Sequence, residues 1–119
     1  MKKKATFELP WPPSVNALRA VFRGRIISTK VAREYYKSTA KLIQTQRVPD
    51  FGVSRLRLLV TAYPPCTTRK RDLGNIDKAL QDALGNAGVF VDDEQVDQMV
   101  YTRAEQSGKG FVSVTLEEI

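Results

Sequence analysis

Hydrophobic and polar residues alternate in several stretches of the chain, and this pattern predicts β-strands. The clearest stretch is residues 55–63, where every second residue is apolar, as in a strand with one buried face. A turn at 107–110 joins two weaker candidates, and residues 21–27 predict a small hairpin that turns near Gly24. The weaker strand candidates are residues 6–9, 97–103 and 111–116.

Two other stretches repeat their apolar residues at close to 3.6 residues, which predicts amphipathic helices. The first is capped by Ser28 or Thr29 and extends to about Arg47. The second covers residues 73–87, and Gly88 suits the left-handed conformation that often ends a helix. Together the elements predict an α+β fold, a small mixed sheet of about four to five strands with two main helices packed on it.

The length of 119 residues predicts a single domain spanning residues 1–119. No apolar run approaches the roughly 20 residues of a membrane-spanning helix, so no membrane partner is expected. Cys66 is the only cysteine and cannot form an internal disulfide, which favours a reducing compartment such as the cytoplasm.

The proline-rich segment near the N-terminus predicts a rigid, extended loop. Pro10, Pro12 and Pro13 restrict its backbone. Trp11 inside it is either a plug in the core or an exposed platform, and the core plug is the preferred interpretation.

The absence of histidine narrows the possible chemistry. It excludes a histidine base, a Ser-His or Cys-His nucleophile pair, and the usual zinc site. The remaining catalytic groups are carboxylates, Lys, Arg, Tyr or a hard metal ion.

Positive charge is concentrated in the N-terminal part of the chain. Residues 1–49 contain eleven basic and two acidic side chains, whereas residues 50–119 contain eight basic and eleven acidic ones. This asymmetry suggests that one part holds an anion and the other acts on it, although a solvated basic surface explains the charge alone about as well. The candidate phosphate-binding residues are Arg23, Arg25, Lys30, Arg33, Lys37, Lys41, Arg69, Lys70 and Arg71.

Two acidic sites bracket the second predicted helix. Asp72 lies directly before it, Asp92 and Asp93 follow it, and Lys78 lies on the helix itself. A helix over residues 73–88 rises roughly 22 Å, and an extended return to Asp93 covers roughly 16 Å. Asp93 is therefore expected within about 6 Å of Asp72 along the helix axis.

Two carboxylates at this spacing can share a metal ion. Oxygen ligands without histidine favour Mg²⁺, with Mn²⁺ as a substitute. The ion would polarise a phosphoryl oxygen, and Lys78 would stabilise the transition state or a leaving 3′ oxygen. The residues alone leave other interpretations open: Asp72 favours a helix dipole, Asp92 and Asp93 are turn acids, and Lys78 is a surface cation.

The same stretch resembles the signature of the RusA-type Holliday-junction resolvases. The matching segments are Arg71-Asp72-Leu73-Gly74-Asn75-Ile76-Asp77-Lys78-Ala79, Asp82-Ala83-Leu84, Ala87-Gly88-Val89 and Asp92-Asp93-Glu94-Gln95-Val96. The segment Leu9-Pro10-Trp11-Pro12-Pro13-Ser14-Val15-Asn16 is similar to that family's N-terminal motif. Length and element order fit over essentially the whole chain.

The resemblance implies a homodimeric protein of bacteria or their phages that binds four-way DNA junctions. Such enzymes nick two opposed strands symmetrically with Mg²⁺ and leave ligatable 5′-phosphate and 3′-hydroxyl ends, in recombination and repair or in phage DNA processing. Carried over residue by residue, the resemblance makes Asp72, Lys78 and Asp93 catalytic. It makes Asp72 and Asp93 metal ligands, with Asp92 as the adjacent acid.

One position departs from the family pattern. The family usually has Asp-Leu-Asp-Asn, whereas this chain has Asp72-Leu73-Gly74-Asn75. The missing carboxylate leaves three possibilities: Asp92 or Asp77 compensates, the site takes metal more weakly, or the protein binds junctions and cuts poorly. Retained activity is the preferred interpretation.

The favoured hypothesis is therefore a Mg²⁺-dependent, structure-selective endonuclease that resolves junctions by paired symmetric nicks. The alternative is a junction-binding protein with weak or no nuclease activity because of Gly74. A third hypothesis is a general basic nucleic-acid binder, which would bind duplex and junction similarly at matched salt.

Overall fold

The structure is a computed structural model that describes residues 2–119. Within that range, two helices and a four-stranded sheet form the main body, and two further strands form a separate hairpin. The strands are β1 (Lys4–Pro10), β2 (Arg19–Phe22), β3 (Arg25–Ser28), β4 (Leu56–Tyr63), β5 (Val96–Arg103) and β6 (Phe111–Glu118). The helices are α1 (Lys30–Thr45) and α2 (Asp77–Asn86). The predicted α+β fold with a mixed sheet and two main helices is confirmed.

The main sheet has the order β1-β6-β4-β5. β6 is antiparallel to both β1 and β4, whereas β5 is parallel to β4. Parallel neighbours need a crossover of a dozen or more residues, usually through a helix, and α2 supplies it. The turn at 107–110 does join β5 to β6, but β4 lies between these two strands in the sheet.

The core lies between the helices and one face of the sheet. Every second residue of β4, from Leu56 to Ala62, is buried, as the alternation predicted. Leu80 and Leu84 of α2 are fully buried against this face. Trp11 packs against the same core and is partly buried, so it combines features of a plug and a platform.

Helix α1 begins where its capping residue predicts. Thr29 Oγ1 accepts a hydrogen bond from the Ala32 amide at 3.2 Å, and the helix ends at Thr45. Tyr35 faces the interior, and its hydroxyl donates to the Pro10 carbonyl at 2.9 Å. This bond ties the helix to the proline-rich loop.

Helix α2 is shorter than the predicted helix over residues 73–87. Leu73–Asn75 form a single 3₁₀ turn, and the α-helix starts only at Asp77. Gly74 is a poor helix former, and the Asp72 side chain makes no capping hydrogen bond. Asp77 instead places a carboxylate in the first turn, where the helix dipole favours it. Gly88 has φ of +79° and ends the helix as predicted.

The predicted hairpin is present as β2 and β3. Arg23 and Gly24 both have positive φ, 52° and 76°, which is the backbone of a tight two-residue turn that matches strand twist. Its side chains are exposed throughout. Over residues 2–119, no helix has both the length and the apolar character needed to span a membrane.

Candidate active site

Two loops leave the sheet at the same edge and carry part of the predicted site. Pro10 at the end of β1 and Tyr63 at the end of β4 both pair with Phe111 of β6. The loops that follow them, residues 11–16 and 64–72, are therefore neighbours. A cleft of about 620 Å³ separates them, with α1 as its third wall.

Asp72 ends the second of these loops. Its backbone is extended, with φ of −92° and ψ of 130°, and its carboxylate is exposed in the cleft wall. The preceding residue is held in place because Arg103 Nη2, at the end of β5, donates to the Arg71 carbonyl at 2.7 Å. The loop that carries Asp72 is thus anchored to two strands, to β4 through the chain and to β5 through the Arg103 bond.

Lys78 lies in a cluster of charged groups on α2. Its Nζ is 2.9 Å from Asp82 Oδ1, one helical turn later, and the Tyr36 hydroxyl of α1 lies 3.5 Å from Asp82 Oδ2. The hydrogen bond that Lys78 donates to Asp82 is the main cause that raises the pKa of Lys78, and the negative charge of Asp93 adds to it. The pKa of Lys78 is lowered slightly by Arg19, which approaches from the hairpin. Lys78 is therefore a cation fixed by Asp82, and its pKa also responds to the charge of Asp93.

Asp92 and Asp93 form a close carboxylate pair before β5. Asp92 Oδ1 accepts from the Glu94 amide at 3.0 Å, and this bond is the main cause that lowers the pKa of Asp92. The pKa of Asp93 is raised, first by its hydrogen bond with Asp92 and then by partial desolvation. Negative charge accumulates at Asp93, and a bound cation would relieve it.

Gln95 fixes the position of this acidic pair. It is 4% exposed, and its Oε1 accepts from the backbone amides of Val91 and Asp92, both at 2.8 Å. Its Nε2 donates to the carbonyls of Gly52 and Ser54, both at 2.9 Å. All four hydrogen-bonding positions of the side-chain amide are used, so the acidic loop is tied to the turn before β4.

The acidic donors suit a hard divalent cation. In the described part of the chain, no group of three or more carboxylate or cysteine side chains lies close enough to hold a metal ion. Mg²⁺, however, often takes only one or two carboxylates and completes its shell with waters and substrate phosphates. The Asp92–Asp93 pair, with its raised Asp93 pKa, fits that mode of binding.

Asp72 and Asp93 are attached at opposite ends of the β4–β5 pair. Asp93 lies directly before β5, whose first residue Val96 pairs with Leu56, the first residue of β4. Asp72 instead follows the loop at the other end of β4. No described contact joins the two carboxylates, so a metal site shared by Asp72 and Asp93 stays a prediction.

Gly74 is not required by space or by backbone conformation. A Cβ atom built at this position meets nothing within 4 Å, and φ is not positive. An aspartate would therefore fit here without strain.

The predicted DNA-binding cations of the first half of the chain are all exposed. Arg23 and Arg25 lie on the hairpin, and the other four lie on the outer face of α1: Lys30, Arg33, Lys37 and Lys41. Two of them are partly engaged, since Lys30 lies 3.8 Å from Glu34 and Arg33 donates to the Ser28 carbonyl. Phosphate binding and simple solvation both remain compatible with these positions.

Sequence reasoning missed four residues that shape the site. Asp82 could have been found, because its spacing of four residues from Lys78 on a helix predicts an ion pair. Gln95 could have been found in part, because Asp92 followed three residues later by Gln95 has the spacing of a helix capping box. Tyr36 and Arg19 are placed by packing between segments far apart in sequence, so no local pattern marks them.

Comparison with known proteins gives consistent results across nearly the whole chain. The family Endodeoxyribonuclease RusA matches residues 10–117. The crossover junction endodeoxyribonuclease of Enterobacteria phage HK97 is 34% identical over 113 residues, which cover 95% of this chain and 93% of that protein. Proteins of the same name from Escherichia coli K12 and Enterobacteria phage 82 are each 31% identical over 112 residues, covering 93% of this chain and 92% of theirs.

Proposed function

Because the chain belongs to the RusA family of endodeoxyribonucleases, we propose that it resolves four-way DNA junctions by paired nicks in two opposed strands, with Mg²⁺ as cofactor. Mn²⁺ would substitute for Mg²⁺. The observation that carries the proposal is the charged cluster of Lys78, Asp82 and Asp93, since it lies within the family's signature segments.

Junction arms would be held by the exposed cations of the hairpin and α1, together with Arg69, Lys70 and Arg71 beside the cleft. Their support for the proposal is their exposure and their number, since phosphate contacts supply most of the affinity for DNA. The acidic residues lie mainly in the second half of the chain. The junction arms would therefore approach the carboxylates from the surface that carries these cations.

Asp93 and Asp92 would hold the metal ion, and Asp72, which the family resemblance predicts as a further ligand, would have to reach it from the opposite end of the β4–β5 pair. When bound, the ion supplies a Lewis acid for the scissile phosphate and activates water. Lys78 stays protonated because Asp82 raises its pKa, and it would stabilise charge on the phosphate or on the leaving 3′ oxygen. Asp82 positions the Lys78 ammonium by its hydrogen bond.

Paired nicks in opposed strands require two active sites. One chain supplies one Lys78–Asp93 cluster, so the active form would be a homodimer whose two-fold axis matches that of the cut junction. It would act in the cytoplasm of a bacterial cell, in recombination and repair or in phage DNA processing.

The proposal is tested with an end-labelled synthetic four-way junction and a duplex of the same arm sequence, each with Mg²⁺ or with EDTA. Paired nicks are expected only in the junction and only with Mg²⁺. Equal nicking of the duplex, or an intact junction, would contradict the proposal. Sedimentation of the same preparation should give the mass of a dimer.

A second candidate function is junction binding with weak or no nuclease activity. It is favoured by Gly74 at the position of an expected ligand and by the absence, within residues 2–119, of a cluster of three metal-binding side chains. The variant Gly74→Asp discriminates between the two candidates. A large rate increase with unchanged junction affinity supports an impaired site, whereas an unchanged rate shows that the glycine is accommodated. A general basic binder would instead show equal affinity for duplex and junction at matched salt.

A further inference from the structure

The cleft between the two loops is larger than metal binding requires. Its volume of about 620 Å³ lies within the range of sites that enclose small organic molecules, roughly 300–1,000 Å³. It opens beside Asp72, one of the predicted catalytic residues. Its walls differ in chemistry, and this difference indicates what the cleft can bind.

One wall of the cleft is apolar and rigid. Trp11 lines it and is backed by the main core, while Pro12 and Pro13 fix the neighbouring backbone. The bond from the Tyr35 hydroxyl to the Pro10 carbonyl holds this loop against α1. The partly buried indole is thus held in place on the wall of the cleft, as a stacking surface would need to be.

The opposite wall is cationic and contains an unsatisfied donor. Arg69, Lys70 and Arg71 line it consecutively. The Arg71 Nε atom is buried, yet it has no hydrogen-bond partner among residues 2–119. A buried donor without a partner is costly, so a small movement of Arg71 that let this atom meet an acceptor in the cleft would be favourable.

We propose that this cleft takes one unstacked nucleotide of the junction strand, with its base against Trp11 and its phosphate at Arg71. An aromatic surface opposite a row of cations is the combination by which proteins hold single-stranded nucleic acid. Continuous duplex presents phosphates but no free base face, so it would leave the apolar wall uncovered. The inference rests on the proposed function in one respect, because the branch point of a junction is where a strand can offer an unstacked base.

Trp11 is the only tryptophan of the chain, so its fluorescence reports on the cleft directly. The probes are a single-stranded trinucleotide and a trinucleotide of the same phosphates with abasic sugars, each titrated into the protein in EDTA. A saturable decrease in fluorescence is expected with the first probe and not with the second. Equal changes with both, or no change with either, would overturn the base-binding role.

The second measurement compares variants on the intact junction. Trp11→Leu should weaken junction binding by roughly tenfold, the usual effect of losing one base stack, and Trp11→Phe should lose less because it keeps an aromatic face. With abasic sugars at the branch point, the difference between Trp11→Leu and the unmodified protein should disappear. A penalty that persists on abasic DNA would mean that Trp11 acts only through the fold, and thermal midpoints of both variants check for that.

The outcomes separate this inference from the proposed function. If the junction is nicked with Mg²⁺ while Trp11 fluorescence does not respond to bases, the cleft inference is wrong and the function stands. If bases alter the fluorescence while no junction is nicked, the function is wrong and the cleft still binds a nucleotide.

Discussion

The substitution Gln95→Glu would remove half of the hydrogen bonds that the Gln95 side chain makes to hold the acidic loop. A carboxylate of the same shape can still accept from the amides of Val91 and Asp92. It cannot donate to the carbonyls of Gly52 and Ser54, which now lie 2.9 Å from the Nε2 atom. The change therefore tests whether this one buried amide positions Asp93.

The magnitude follows from the bonds lost. Two hydrogen bonds contribute about 1 kcal/mol each, and the two buried carbonyls left facing a carboxylate add a further cost, for a total of about 3 kcal/mol. A chain of this size has a free energy of unfolding of roughly 6–18 kcal/mol, so the variant should remain folded at 25 °C. Junction nicking should fall by roughly 10- to 100-fold, because a small displacement of Asp93 suffices to misalign the reacting groups.

Urea denaturation followed by circular dichroism measures the loss of stability, and the junction assay measures the rate. Gln98→Glu is the matched control, since Gln98 is exposed on β5 and its Oε1 only accepts, from Arg57 Nε at 2.6 Å. The loss of stability caused by Gln95→Glu should be smaller in acid, because burial raises the pKa of the introduced carboxyl above its unfolded value. As pH falls through that raised pKa, the carboxyl is protonated and regains one donor. A loss of unfolding free energy below about 1 kcal/mol, or one equal to that of the control, would show that the Gln95 amide does not hold the acidic loop.

Three further predictions concern substitutions at Gly74, Lys78 and Asp97. Gly74→Asp should leave the thermal midpoint unchanged or raise it, and should lower the Mg²⁺ concentration that gives half-maximal nicking; an identical Mg²⁺ titration would show that position 74 does not contribute to metal binding. Lys78→Met should lower nicking by roughly 100-fold, with junction affinity by anisotropy nearly constant, whereas a parallel loss of both would make Lys78 a binding residue. Asp97 has a lowered pKa because Arg55 donates a hydrogen bond to it at 3.0 Å, so the stability that its carboxylate contributes is present above the unfolded pKa and is lost as pH falls through the folded pKa. Between pH 5 and 2.5, the Asp97→Asn variant should therefore lose less thermal stability than the unmodified protein. Equal losses would contradict this.

The strands and the first helix follow from local sequence because local physics decides them. Strict alternation in residues 55–63 leaves only one face of β4 to bury, and Thr29 fixes the residue at which α1 begins. The start of α2 was placed wrongly, at residue 73, because an apolar stripe cannot tell a 3₁₀ turn from an α-helix. The low helix propensity of Gly74 disfavours an α-helix at residues 73–75, and the carboxylate of Asp77 favours a helix start at residue 77.

The candidate site was predictable in its residue types and less so in its geometry. The resemblance singled out Lys78 and Asp93, and the structure gives Lys78 an ion pair with Asp82 that helical spacing alone would have suggested. Two of the Gln95 bonds are local and lie at a capping box that begins at Asp92, whereas the other two reach across about forty residues to the turn before β4, and no local pattern encodes those. The strand order is equally non-local, since β4 inserts between two strands that a short turn connects.

We propose that Asp93 belongs to a metal-dependent site that nicks opposed strands of a four-way junction. The most direct test labels all four strands of a synthetic junction and counts nicks with Mg²⁺ for the unmodified protein, for Asp93→Asn and for the nearby control Asp97→Asn. Paired nicks in opposed strands are expected for the unmodified protein and the control, and an intact but still bound junction is expected for Asp93→Asn. Persistent paired nicking by Asp93→Asn would contradict it.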